Sequence, residues 1–541
     1  MNKTAPQPQG AVARFSQRIF ASVFLPAISF CLTIHNLSAG NATWKVTPAS
    51  GDWNTAANWT PATVPNGPAD IATFAVSNTT DVSTSANTEV NSIAFNPGAS
   101  AFAVSVGLAT ELTISGAGIV NNSGVAQELI TPVDAAGNQG DIQFFNSATA
   151  GTGNVFTIAG SFTGYLGGYI NFWDTTTAGD NTFTLGGGVS GVSAAGGRVG
   201  ILGNSTAGDS TFIVEGGGSG AGTQAVIDFY DNGSAGNATI TLNGSSFSDS
   251  VGGQAFFSVT STAANATLIA NGTQGGFAAG AIYFANKADG GRARMELSGT
   301  GKLDLTLSEL GGVTIGSLQG DGPVFLGSNN LIVGSNNLST TFAGVISGTG
   351  RLAKIGTGRL TLTNANTYSA GTTVKRGSLF LTNATGSATG SGNVNVEGGT
   401  LGGTGGIAGS VNLGTGSGNG AILRPGQART TVRNFLSIYK GLILNSDAAA
   451  RFVINSNLGS IAGGVIANGV TINGATFAVS DLGSSTLPPG SLFTLISNTA
   501  NTSIAGTFTN LPDGSTFVLG TNTFQVSYEG GSGHNLTLTV Q

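Results

Sequence analysis

One repeat limits what this chain can fold into more than any other feature. Gly153, Asp180, Asp209, Asn237, Asn265 and Arg292 follow one another at spacings of 27, 29, 28, 28 and 27 residues. Three positions after each stand Phe156, Phe183, Phe212, Ile240, Leu268 and Met295, and five after stand Ile158, Leu185, Val214, Leu242, Ala270 and Leu297. Eight positions before stand Phe145, Phe172, Ile201, Phe229, Phe257 and Phe284. Apolar residues two apart mark a strand with one buried face. Each unit therefore predicts at least two short strands separated by a turn, as in "STAGDSTFIV" and "SAGNATITL". Stacking the units sets like residue above like. The expected fold is a parallel β-helix with apolar ladders inside and an Asp180, Asp209, Asn237, Asn265 ladder at its turns, broken at the ends by Gly153 and Arg292.

Composition agrees with an all-β chain. Charged residues make up 8% of the sequence, against roughly 25% in ordinary globular proteins. Hydrophobic residues still reach 40%, and 88 glycines punctuate runs rich in Thr, Ser and Asn. β-Branched residues between turn formers favour strands, and the Leu/Ala/Glu/Lys runs of helices are missing. The formal net charge is −6 with no dense Lys/Arg cluster, so no nucleic-acid partner is expected.

Residues 1–39 read as an export signal. Lys3, Arg14 and Arg18 form a positive start, "IFASVFLPAISFCLTI" an apolar core, and "LSAG" the small-residue cleavage site. Cleavage near Ala39 removes the only cysteine and three cations but no acid, taking the formal net charge to −9. The mature chain is expected to have no transmembrane span and no disulfide, and to rely on packing and backbone pairing.

A second repeat system occupies roughly residues 311–425. "GRLAK", "GRLTL" and "GSLFL" begin at Gly350, Gly358 and Gly377, with Leu360/Leu362 and Leu379/Leu381 nineteen residues apart. Val394/Val396 and Val411/Leu413 continue the alternation. The blocks "FAGVISGTG", "KIGTGRLTL", "NTYSAGTTV" and "GSLFL", in this order and spacing, resemble the passenger-associated transport repeat, also called the autotransporter-associated β-strand repeat. "WNTAANWTPATVPNGPADIATF" at 53–74 is similar to the N-terminal segment of large exported proteins carrying that repeat. The resemblance implies a right-handed parallel β-helix in an exported bacterial surface protein. The C-terminal barrel of many members is not recognisable in this sequence. "GTFTNLPDGSTFVLGTNTFQVSYEGGSGHNLTLTV" instead predicts an antiparallel β segment capping the solenoid, with Phe524, Val526 and Tyr528 alternating. The expected organisation is a signal peptide at 1–39, a β-rich N-terminal cap at 40–140 and a β-helix of about 28-residue repeats at 141–310. A β-helix with the transport repeat follows at 311–430, and a β-rich C-terminal cap at 431–541.

Little chemistry is legible. The glycine-rich stretch around Lys354 lacks the Ser/Thr and the following helix of a phosphate loop. Lys354, Arg351, Arg359, Lys375 and Arg376 are expected to face solvent. Only His534 survives export, so no triad, histidine metal site, metal or cofactor is expected. Trp44, Trp53 and Trp59 suit an apolar cap. Asp174 and Asp231 share a repeat position in "FWD" and "FYD", two coils apart, with Trp173 and Tyr230 beside them. These four are the candidate ligand contacts on the shaft. The reading is an exported, non-enzymatic extracellular or cell-surface protein of structural or adhesive role. Its expected partners are glycans or other cell-surface molecules, with self-association through the solenoid ends. The alternative is a carbohydrate-active β-helix enzyme working through such carboxylates.

Overall fold

The computed structural model describes residues 40–541 except 163–165, 190–193, 220–221, 246, 274–277, 419 and 427–434; the export signal lies outside the described residues. Apart from one 3-10 turn at Ala56–Asn58, regular structure among the described residues is strand. Nearly all strands pair in parallel with the strand one coil away, forming a β-solenoid. A 14-stranded sheet runs from Trp59–Thr60 and Ala42–Trp44 through Gly140–Phe144, Tyr169–Phe172 and Arg198–Ile201 to Ile346–Ser347. A second sheet stacks Thr152–Ile158, Asp180–Leu185, Thr211–Val214, Thr239–Leu242, Thr267–Asn271 and Arg294–Ser298.

The predicted inner ladders are formed. Phe156, Phe183, Phe212, Ile240, Leu268 and Met295 occupy one column, and Ile158, Leu185, Val214, Leu242, Ala270 and Leu297 the next. Phe156 and Phe183 stack at 4.4 Å, as do Phe229 and Phe257. Burial of each such side chain contributes about 1.5–3 kcal/mol, and parallel rings add roughly 0.5–1.5 kcal/mol.

One expected rung is displaced. Phe144, not Phe145, is the inward residue, paired with Phe172 and stacked on it at 4.6 Å. Phe145 points outward and lies parallel to Trp173, 6.1 Å away. The cause is a register shift between Thr152 and Val155: Thr152 pairs with Asp180 but Phe156 with Phe183. One residue is absorbed near Gly153, so counting back from that glycine lands one position late.

Between the two sheets each coil turns through two left-handed corners. The first holds Asn146, Asp174, Gly203, Asp231, Val259 and Asn286, with φ from 51° to 65°. The second holds Gly151, Gly179, Gly208, Gly236, Ala264 and Gly291. Between them Thr149, Thr177, Thr206, Ser234, Thr262 and Asp289 form a one-residue bridge ladder. Each hydroxyl in that ladder accepts the N–H two residues on. The predicted Asx ladder also forms in its centre: Asn237 Nδ2 donates to Asp209 Oδ1 at 2.8 Å, and Asn265 Nδ2 to Asn237 Oδ1 at 3.1 Å.

From residue 312 a third sheet of eight strands begins, with Gly312–Ile315, Asn330–Val333, Leu352–Lys354 and Thr372–Val374. Its first strand sits on the bridge ladder, Thr314 N donating to Asp289 Oδ1. Leu360/Leu362 pair with Leu379/Leu381 and Val394/Val396 with Val411/Leu413, all buried. Arg351, Arg359, Lys375 and Arg376 are exposed as expected. Lys354 is not: it is 1% exposed and turns inward, its Nζ donating to the carbonyls of Ile355, Gly356 and Arg376. Tight glycine corners leave carbonyls unpaired inside the coil, and a long cationic side chain satisfies them.

At one end Trp44, Trp53 and Trp59 are buried against Phe74, with Trp53 and Trp59 edge-to-face at 5.1 Å. Each indole N–H finds a carbonyl, those of Thr79, Pro65 and Trp53. At the other end Asn522–Gly530 pairs antiparallel with Thr516–Leu519 and Asn535–Val540, burying Phe524, Val526 and Tyr528.

Candidate functional site: the outer face of the first sheet

The residues that alternate with the first sheet's inward ladder form outer columns whose members range from exposed Trp173 to buried Val226 and Gln254. One column runs Asp141, Tyr169, Arg198, Val226 and Gln254, and the next Gln143, Asn171, Gly200, Asp228, Phe256 and Tyr283. A third column, Phe145, Trp173, Leu202 and Tyr230, follows the strand ends. The backbone N–H of each of its last three members bonds one coil back, to Phe144, Phe172 and Ile201. This face carries Phe145, Tyr169, Trp173, Tyr230, Phe256 and Tyr283 among polar groups.

Its geometry is held by ties between coils. Trp173 Nε1 donates to Gln143 Oε1 at 2.9 Å. Arg198 is ion-paired with Asp228, which holds its guanidinium charged well above the usual range. Phe256 and Tyr283 stack at 4.5 Å, and Lys302 Nζ lies 4.9 Å from the Tyr283 ring centre. Burial pushes the Tyr169 phenol up. Burial, with Glu111's charge adding to it, pushes the Asp141 carboxyl up to about 6. Aromatic faces flanked by amide, carboxylate and guanidinium groups can stack on a sugar ring and hydrogen-bond its hydroxyls.

The four sequence-predicted contacts divide between this face and its corner. Trp173 and Tyr230 lie in the third column, separated by Leu202. Asp174 and Asp231 are the next residues, at the first left-handed corner, with φ of 54° and 52° and Gly203 between them. Two coil steps set them about 10 Å apart. Asp174 Oδ2 accepts the Asn146 N–H at 2.9 Å. Their shared position has a conformational reason: Asp and Asn tolerate the left-handed region better than other non-glycine residues. Among the described residues no three His, Cys, Asp or Glu side chains group as metal ligands. An open depression lined by Gln319, Ser339, Thr341, Arg359 and Thr361 lies on the second sheet, where Arg359 sits 4.3 Å from the Phe380 ring centre.

Sequence reasoning missed Tyr169, Arg198, Asp228, Phe256 and Tyr283 as members of one surface. The signal was strand parity: in "YINFW" the inward Ile170 and Phe172 alternate with outward Tyr169, Asn171 and Trp173.

Residues 352–381 match the family model of the passenger-associated transport repeat. A stretch of 91 residues is 44% identical to an adhesin autotransporter, BmaC, of Brucella suis biovar 1 (strain 1330). That stretch is 17% of this chain and 3% of the adhesin. The chain carries the passenger-associated transport repeat on a parallel β-solenoid.

Proposed function

We propose that this is an exported, non-enzymatic bacterial surface protein with an adhesive role, in which the outer face of the first sheet contacts glycans on other surfaces. The repeat over residues 352–381 supports export as a passenger, and the partial likeness to an autotransporter adhesin supports adhesion. The observation that carries the contact surface is the placement of Trp173 and Tyr230 in one outward column, beside the Phe256–Tyr283 stack. The mechanism is architectural. The solenoid fixes outward aromatic and polar groups at inter-coil steps of about 4.8 Å, so many weak contacts act together on a repetitive ligand. Asp174 and Asp231 serve the corner conformation in this reading, not acid–base chemistry.

A glycan array probed with the purified protein tests the reading. Binding to a defined glycan class that is lost in a Trp173→Ala, Tyr230→Ala variant supports it. Absence of binding, or binding untouched by the double substitution, removes this face as the contact.

A further inference from the structure

The outer face of the second sheet differs in chemistry from the face just described. Over four successive coils its two outward columns read Thr182, Thr211, Thr239, Thr267 and Thr184, Ile213, Thr241, Ile269, all in unbroken parallel register. Val155 and Thr157 extend the two columns by one coil. None of these positions carries a charge. Along the axis the field ends at Thr157, whose Oγ1 donates to Glu128, and at the Arg294–Glu296 pair, while Asp180 and Asp209 stand along one flank and Glu215 on the other.

The hydroxyls set this field apart from the other threonines of the coil. Those of Thr149, Thr177, Thr206 and Thr262 each accept a corner N–H. No hydrogen bond within the described protein engages the hydroxyls of Thr182, Thr184, Thr211, Thr239, Thr241 or Thr267. Of the eight outward positions six are threonine, two are isoleucine and none is serine, although serine occurs in the adjoining turns. A β-branched side chain is stiff at χ1, so each hydroxyl and its methyl hold fixed places. The columns repeat about every 4.8 Å across the strands, and the two stand about 6.6 Å apart along them.

We propose that this face binds ice. Two neutral columns suit a neutral partner, and rigid hydroxyl–methyl pairs repeated at every coil of one column, beside threonine and isoleucine methyls that alternate in the next, suit a lattice of water. Both spacings are of the order of the distances between oxygen rows in hexagonal ice. Methyl groups order the water beside them, and the unpaired hydroxyls join that layer to the crystal through hydrogen bonds. A flexible or charged face offers neither property. The inference stands apart from the glycan reading, because the two faces share no residue.

The test is ice recrystallisation with the purified protein, accompanied by observation of single ice crystals near their melting point. Wild type is expected to arrest grain growth and facet the crystals. A Thr211→Tyr, Thr239→Tyr variant, whose side chains project from the solvent side and break the plane, is expected to need at least about tenfold more protein, the mark of a lost binding free energy. Asn171→Lys on the first sheet is expected to leave the activity intact. An unchanged β-type circular dichroism spectrum and melting temperature shows that the tyrosine variant is folded. If wild type leaves grain growth unaltered, or the tyrosine variant matches it, the proposal is wrong. It is equally wrong if the face is consumed by a stable dimer that the tyrosines abolish.

Discussion

Lys354 extends its ammonium group to the backbone carbonyl of Arg376, 22 residues further on and one coil away, at 3.4 Å. The same nitrogen bonds the carbonyls of Ile355 and Gly356 at its own corner. One buried cation thus ties two coils of the transport repeat together without an acidic partner. Replacing it with methionine keeps the apolar stem but leaves these carbonyls without that donor, at an expected cost of about 1–3 kcal/mol. In a solenoid the loss stays local, so hydrogen exchange of the 350–381 peptides is the measurement. Burial lowers the amine from 10.5 to about 8. Between those values the unfolded chain binds more protons, so the local stability of wild type rises with pH in that window. The Lys354→Met protein is expected to lack that rise.

The ladder of Asp209, Asn237 and Asn265 alternates amide donors with oxygen acceptors. Asn237→Asp removes the donor to Asp209 and places two carboxylates in register, at a cost of about 1 kcal/mol at neutral pH. Acidification towards pH 4 protonates one of them and restores most of the loss. Urea unfolding at both pH values checks the difference.

Val259 holds a left-handed corner with φ of 60°, where its column neighbours are Asp231 and Asn286. A β-branched residue is strained there. Val259→Asn is expected to stabilise the solenoid by about 1 kcal/mol. The comparison is a denaturation midpoint against wild type, and an unchanged or lowered midpoint contradicts the assigned strain.

Asp141 is expected to weaken the fold when ionised, since its carboxyl rises from 3.8 to about 6 in the folded state. Below about 3.8 both states are protonated. Between the two values the folded state binds more protons, so stability falls as pH rises through the window and stays lower above it. Asp141→Asn is therefore expected to raise stability at pH 7 by roughly 1 kcal/mol, allowing for partial solvent access, and to flatten the pH dependence between 4 and 6.

Much of this architecture was legible because a solenoid writes each coil twice, once as sequence period and once as register. The Phe156–Phe183–Phe212 column followed from spacing alone. Phe145 did not, because a one-residue irregularity near Gly153 is invisible to a count made from that glycine. Lys354 was misread for a different reason. Its strand neighbour Leu352 is inward, and parity sends residue 354 inward too, but charge argued for solvent. The unpaired corner carbonyls that reverse that argument exist only in three dimensions. The outer-face columns were recoverable from parity. The pairing of Arg198 with Asp228 required the coil register.

Where the protein resides in its own cells tests the account most directly. A tagged copy is fractionated, intact cells are labelled with antibody, and the N-terminus of the recovered chain is sequenced. Export predicts protein on the cell surface or in the medium, beginning near residue 40. Protein confined to the cytoplasm with residues 1–39 still attached contradicts it, and the adhesive reading with it.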